Sequence, residues 1–340
     1  MRAVTYSRTG DPSVLTVIER GDPEPGPGEV AVRIHRSGLN PTDVKSRRGS
    51  GPGPVDPPQV PGQDGAGIVT AVGVGVEAGW VGLRVWVWEA AYERRDGTTQ
   101  EIAIVPARHV VTLPDSASFD LGASLGIPFL TAQRCLTVGE DRPQRLGPGT
   151  LSGRTILVAG GAGAVGNAAI QLARWSDARI ISTVSSPAKA QLAAAAGADQ
   201  VIDYRRQDVV AEIGKIVPHG VDAIVEVSLA GNAEIDAAVI ARHGSIACYA
   251  SDADAPLAAL PVRRLMMANV RCQFVMVYTV PPAAKARALE DVAAAVLDGA
   301  VRIGAAAGLP IHHFPLDQAA AAHAAVEDNI VGKVLIDVTD

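Results

Sequence analysis

Residues 156–174 read ILVAGGAGAVGNAAIQLAR. Ile156-Leu157-Val158-Ala159 is a short apolar run of the kind that forms a buried strand, and after the glycines apolar residues recur at helical spacing through Leu172. The segment reads as strand, tight turn and helix. Its glycines satisfy two overlapping patterns, G-x-G-x-x-G at Gly161, Gly163 and Gly166, and G-x-x-G-x-x-G at Gly160, Gly163 and Gly166. Side chains there would block the turn, the approach of backbone to a pyrophosphate, or the packing of helix on sheet. Ala164 and Val165 open the helix, whose N-terminus offers N–H groups and a partial positive charge to phosphates. RIISTV at 179–184 supplies the next strand at the expected distance, so a dinucleotide site outweighs a plain Gly-rich turn.

Working outward, further short apolar runs at 200–203, 223–227 and 245–250 alternate with helical patterns beginning near Ala164, Pro187, Asp208 and Asn232. Such alternation makes a parallel, doubly wound α/β sheet with its ligand at the carboxyl ends of the strands. Val227 and Asn232 follow one such end, on the nicotinamide side of a cofactor; for Asn232 a plain helix start accounts equally well. VRCQFVMV at 270–277 makes an edge strand and, since exposed edges invite pairing, a subunit contact.

Before the sheet, RAVTY, LTVIE, EVAVRIH, GIVTAVG, RVWVW, EIAIV and HVVTL are short strand patterns parted by Gly and Pro, which suggests a small, partly closed antiparallel barrel. Residues 49–62, rich in Gly and Pro, read as a surface loop. Residues 119–138 carry helical spacing broken by Pro128. The tail has a long helix to Leu297, a short strand near His313, a helix over 317–327 and a last strand over 333–338; lacking βαβ rhythm, it is expected to pack back on the barrel. The domain limits expected are 1–126, 127–278 and 279–340.

The cofactor type follows from the end of the second strand. An NAD site usually has Asp or Glu there for the ribose 2′-OH, but no acid occurs between Ile180 and Ala188. Ser185, Ser186 and then Lys189 stand where a 2′-phosphate lies, which points to NADPH. A charged hydrogen bond of roughly 1.5–3 kcal/mol makes loss of Lys189 worth at least about tenfold in affinity.

Composition excludes several classes. With 340 residues, 48% of them hydrophobic and 19% charged, and a net charge of -6, the chain fits a two-domain globular protein with no basic footprint for nucleic acid. No signal-peptide h-region or membrane-length apolar run is visible, so a cytoplasmic enzyme is expected. Cys135, Cys248 and Cys272 form no C-x-x-C pair and suggest neither disulfides nor a thiolate zinc site. Gly122-Ala-Ser124-Leu-Gly126 matches the G-x-S-x-G of hydrolases, but that motif needs a strand before the serine and this segment looks helical. His312 and His313 are adjacent in an extended segment, so their side chains point to opposite faces.

The motifs GLNPTDVKSRRG at 38–49, PGQDGAGIV at 61–69, SFDLGASLGIPFLTAQRCL at 118–136, the glycine loop, GADQVIDYR at 197–205 and the terminal GKVLIDV occur in order. The chain resembles, end to end, the zinc-free quinone oxidoreductases of the medium-chain dehydrogenase/reductase superfamily, the zeta-crystallin-like group. The resemblance implies a GroES-like barrel, a Rossmann domain, an NADPH cofactor and a homodimer. It carries a lysine and a tyrosine near the 2′-phosphate onto Lys189 and Tyr204, with Ser185 adjacent, and the threonine that opens the cofactor cleft onto Thr131. It assigns Asn40 and Asp43 to the polar pair beside the nicotinamide, Lys333 of the terminal GKVL to the cofactor, and Asn40, Lys45, Gln63 and Ile127 to the substrate side.

Zinc-bearing relatives in the superfamily hold catalytic metal where this chain has Asn40, Gln63 with Asp64, and Ile127. Neither an amide nor an isoleucine replaces thiolate or imidazole as a zinc ligand, so no metal is expected. Without a Lewis acid to polarise an alcohol, reduction of an electron-poor acceptor becomes the chemistry of choice: a quinone, or alternatively an enone or enoyl substrate. An NADPH-binding protein with a structural or regulatory role is the rival of another class. Where the family often has tyrosines, this chain has Lys45 and Gly51-Pro52-Gly53-Pro54, which weakens stacking on a flat quinone.

Overall fold

The computed structural model describes residues 1–251 and 255–339. The chain divides into two compact units, one made of Met1–Ile127 with the segment from Ile311 on, the other of Pro128–Pro310.

The first unit begins with β1 (Arg2–Thr9), β2 (Thr16–Glu19), β3 (Glu29–Leu39), α1 (Pro41–Arg48), β4 (Gly53–Gln59), β5 (Asp64–Val72), β6 (Arg84–Val87), β7 (Ile102–Pro106) and β8 (Val110–Thr112), followed by α2 (Phe119–Thr137). The structure differs from the sequence expectation at two places. Part of the 49–62 loop is β4, which pairs antiparallel with β1. Its sequence GPVDPPQ hides it, because proline is tolerated only where a strand's N–H groups need no partner, and β4 is the edge of the sheet β2-β1-β4. The second is α2, which runs through Pro128 unbroken. The helix already surrenders a turn of bonding there, since the Ile127 N–H donates to the Asp64 carboxylate at 3.0 Å.

The second unit is β9 (Thr155–Ala159), α3 (Ala164–Trp175), β10 (Arg179–Val184), α4 (Pro187–Ala196), β11 (Gln200–Asp203), α5 (Val209–Ile216), β12 (Val221–Glu226), α6 (Leu229–Val239), β13 (Ile240–Cys248), α7 (Val262–Met267), β14 (Arg271–Phe274) and α8 (Pro282–Leu297). Its strands, all parallel, lie in the order β11-β10-β9-β12-β13-β14, so β9 is central and every residue of TILVA is buried. Strands covered on both faces carry continuous apolar runs, the pattern seen in the sequence of this half. The order reverses between β9 and β12, the switch point that opens a crevice at the carboxyl ends.

Residues 279–310 belong to this second unit and not to the returning tail. The reason is Asp291 on α8, fully buried, which accepts from Gln133 Nε2 at 2.7 Å, Arg145 Nε at 2.5 Å and Leu146 N at 2.8 Å. The return starts at β15 (Ile311–Pro315), followed by α9 (Ala319–Glu327) and β16 (Lys333–Asp337). β16 pairs antiparallel with β3, giving a sheet β15-β16-β3-β5-β6-β8 with β7 also on β3. The core under it is aliphatic, with Val30, Val32, Ile34, Val69, Val85, Leu316 and Ile336 among its members.

Candidate active site

In the second unit the glycine loop has the shape its pattern implies. Gly160 adopts φ 70°, a left-handed turn directly after β9. A Cβ at 161 would lie 2.1 Å from Ser182 Oγ, and one at 166 would lie 2.4 Å from the carbonyl oxygen of Gly160. Gly163 caps α3, and the N–H groups of Ala164, Val165 and Gly166 in its first turn have no intrahelical acceptor. A Cβ at 163 would meet only Gly160 O, at 3.4 Å, so packing does not demand glycine there while close approach of a phosphate would. The loop therefore fits a dinucleotide.

At the far end of β10 the Ser186 hydroxyl caps α4 by accepting from the Lys189 N–H at 3.3 Å, and the Lys189 ammonium donates to Ser185 Oγ at 3.2 Å. Parallel pairing puts Val184 opposite Asp203, so Tyr204 emerges beside Ser185 and is half exposed. Three hydrogen-bonding side chains, one cationic, are thus gathered at the strand end. Val227 lies against the turn, its Cγ1 3.2 Å from where a Gly160 Cβ would be, and Thr131 is buried on α2.

Asn232 serves the protein itself, because its Nδ2 donates to Glu226 Oε1 at 2.9 Å. Glu226 and Asp236 are both buried, and burial raises both carboxyl groups while their mutual repulsion raises Asp236 further. This pair, which holds the turn after β12, was not singled out in the sequence. Its one signal is an acid closing the apolar run AIVE.

In the first unit, three strand ends build a second constellation. β3 runs antiparallel to both β5 and β16, with Gly38 opposite Asp64 and Leu39 opposite Val334, so Asn40, Asp64 and Lys333 meet at one edge of the sheet. Lys333 Nζ donates to Asn40 Oδ1 at 2.8 Å and lies 3.8 Å from Asp64 Oδ2, while Asn40 Nδ2 donates to Asp64 Oδ2 at 2.7 Å and Gly38 O at 3.3 Å. Asp43 Oδ2 accepts the Asn40 backbone N–H at 2.8 Å, the reach-back bond of a helix start. All four residues are buried.

The helix α2 comes close enough to take part because glycines clear its path. A Cβ at Gly126 would be 2.1 Å from Asp64 Oδ1, and one at Gly122 would be 2.7 Å from Ala66 Cβ. The glycines of the apparent G-x-S-x-G are packing residues, and Ser124, fully buried, donates its hydroxyl to Asp120 O at 2.8 Å.

Burial dominates the electrostatics. It pushes Asp43 up to about 7, Asn40's N–H opposing and Asp64 adding, and pushes Asp64 up to about 6 against the pull of Lys333. It also lowers Lys333, which the two carboxylates counteract. Both ends of the Asn40 amide are engaged within the protein, so it holds the cluster together. The Lys333 ammonium is turned wholly into the same cluster. Lys45 is exposed on α1, and Gln63 is 5% exposed beside a cavity of about 380 Å³ that Asp43 also lines.

His312 and His313 diverge as expected, the first to Val331 O at 3.0 Å and the second to Asp337 Oδ1 at 2.8 Å. Among the described residues no group of three or more His, Cys, Asp and Glu side chains is arranged to hold a metal ion.

Comparison with known proteins agrees with both halves of this geometry. Residues 26–115 match the alcohol dehydrogenase GroES-like domain, and residues 164–294 match the zinc-binding dehydrogenase family. The human quinone oxidoreductase is 30% identical over 250 residues, which is 72% of this chain and 72% of that protein. The chain belongs to the quinone oxidoreductase group of the medium-chain dehydrogenase/reductase superfamily. A rat synaptic vesicle membrane protein VAT-1 homolog is 36% identical over 205 residues, 60% of this chain and 47% of its own length, so the match spans about half of that relative. Among solved structures, mycobacterial Rv1454c complexed with NADPH superimposes with a TM-score of 0.80 at 28% identity, covering 99% of both chains. The two matches fall on the two halves expected, the GroES-like one and the Rossmann one.

Proposed function

We propose that this protein is an NADPH-dependent, zinc-independent oxidoreductase that passes hydride to a quinone. The observation that carries the reading is the Lys189 ammonium on Ser185, beyond a β10 strand with no acid after it. An adenosine 2′-phosphate would take the place of solvent on this cation, and Tyr204 would add a hydroxyl. When bound, the dihydronicotinamide supplies the hydride. The glycine loop and the first turn of α3 would bind its pyrophosphate, and Val227 and Thr131 would orient the ring. Asp43, raised toward neutrality and lining the cavity, holds the proton that the acceptor's oxygen takes up, while the Asn40 backbone N–H keeps that carboxyl in place. Hydride from the dihydronicotinamide together with the proton from Asp43 would convert the quinone to its hydroquinone.

A second reading is favoured by one feature. Tyr6 is the only aromatic side chain among the residues lining the cavity, so there is little for a flat quinone to stack on, and a smaller enone fits its polar wall better. Supporting a homodimer are Met266, Met267, Phe274 and Met276, all more than half exposed on or beside the edge strand β14. Apolar side chains clustered on an open strand edge are the usual mark of subunit pairing.

The test is NADPH oxidation by chelator-treated protein, offered an ortho-quinone and a simple enone in parallel. Turnover of the quinone, unchanged by chelator, supports the reading. Turnover of the enone alone moves the assignment to enone reduction with the same cofactor site, and NADPH binding with no turnover of either supports a binding protein instead.

A further inference from the structure

The cavity of about 380 Å³ in the first unit is at the small end of the roughly 300–1,000 Å³ usual for small-molecule sites. Tyr6, Asp43, Gln59, Gln63 and Arg94 are among its lining residues. Most of their polar atoms already have partners inside the protein. Tyr6 Oη donates to Gln59 Oε1 at 2.9 Å, and Arg94 Nη2 donates to Glu29 Oε1 at 2.9 Å and to Ile104 O at 3.1 Å. Asp43 Oδ2 is taken by the Asn40 N–H.

Two buried atoms of this lining receive no hydrogen bond within the described residues: Arg94 Nε, a donor, and Gln63 Oε1, the one acceptor of the two. Gln63 as a whole is only 5% exposed. Its backbone carbonyl accepts Ala90 N at 3.0 Å, which anchors the root of the side chain at the cavity wall. An amide oxygen only accepts. What completes it must therefore donate an O–H or N–H. A site built to bond a hydroxyl discriminates against the analogue lacking it, because the protein group is then left buried and unpaired.

We infer that Gln63 is a specificity residue, and that the cavity selects a compact conjugated carbonyl compound bearing a hydroxyl group over its unsubstituted analogue. This rests on reading the protein as a reductase of conjugated carbonyl acceptors. The hydroxyl donates to Gln63 Oε1, which leaves the acceptor's own carbonyl oxygen for the proton held at Asp43.

Three ligands of one framework separate the alternatives: cyclohex-2-enone, its 4-hydroxy derivative, and its 4-methoxy derivative, which can accept but not donate. Calorimetric titration of each into the NADP⁺-bound protein is expected to give the hydroxy compound about tenfold tighter binding than the other two. Gln63→Leu is expected to abolish the preference, and Gln63→Glu, which keeps an acceptor of the same length, to retain it. Equal binding of the hydroxy and parent compounds, or a preference that persists in Gln63→Leu, overturns the inference. So does stronger binding of the methoxy compound, which would mean that the amide presents its NH₂. Steady-state NADPH oxidation with the same compounds keeps the two readings apart. Selective binding without turnover leaves the specificity intact and removes the reductase, whereas unselective turnover does the reverse.

Discussion

Lys333 and Asn40 are 293 positions apart in the chain and are joined by a buried hydrogen bond of 2.8 Å from ammonium to amide oxygen. Strand β16, from the end of the sequence, thus closes a cluster whose other members lie on β5 and at the start of α1. Lys333→Met leaves the two acids Asp43 and Asp64 buried without their cation. Breaking a buried charged set by removing one partner costs on the order of 3–5 kcal/mol. Chemical denaturation at neutral pH should show a loss of that order, and the double variant Lys333→Met with Asp64→Asn should recover a large part of it.

The pH dependence of stability follows from the same cluster. An aspartate ordinarily titrates near ~3.9, but in the folded protein Asp43 titrates at about 7 and Asp64 at about 6. Between these limits the folded state binds more protons than the unfolded one, so its stability falls as pH rises. The melting temperature is expected to decline from pH 5 to pH 8, and Asp43→Asn to flatten that decline. A melting temperature that climbs over this interval in the wild type, with Asp43→Asn no flatter, contradicts the assignment. The same titration makes acceptor reduction lose efficiency above pH about 7, an effect absent from a stopped-flow measurement of NADPH binding alone.

Gly166→Ala tests the cofactor loop. The added Cβ would sit 2.4 Å from Gly160 O and 2.9 Å from Gly161 Cα, and backbone cannot yield as a flexible side chain can. Fluorescence titration is expected to show NADPH binding weakened by at least about tenfold. Gly163→Ala, whose Cβ meets protein only at 3.4 Å, should fold with wild-type stability and still lose affinity.

Phe274→Asp tests the β14 edge. The side chain is 66% exposed in the isolated chain, so the change costs little if the protein is monomeric. In a dimer it places a charge in an apolar contact, and sedimentation at micromolar concentration should show dissociation. Wild-type protein that already sediments as a monomer would remove the dimer.

Much of this was legible in the sequence, and the parts that were not have physical reasons. The parallel sheet announced itself because its strands are buried on both faces, and Ser185, Lys189 and Tyr204 were found because strand ends and helix starts have local signatures. Strand β4 escaped because three prolines in GPVDPPQ mimic a loop. The continuity of α2 through Pro128 depends on Asp64, more than sixty residues earlier, accepting the Ile127 N–H. The inward turn of Lys333 and the full engagement of Asn40 depend on the register of three strands, which no local pattern encodes. The vacant acceptor on Gln63 is less visible still, since it is defined by what its neighbours bond to.

In the function proposed, Lys189, seated on Ser185, selects the phosphorylated cofactor. The most direct test is the ratio of kcat/KM for NADPH to that for NADH, measured with one quinone for the wild type and for Lys189→Ala. A wild-type ratio well above ten is expected, dropping by at least about tenfold in the variant with NADH values unchanged. A wild-type ratio near one, or a ratio indifferent to Lys189, would contradict it.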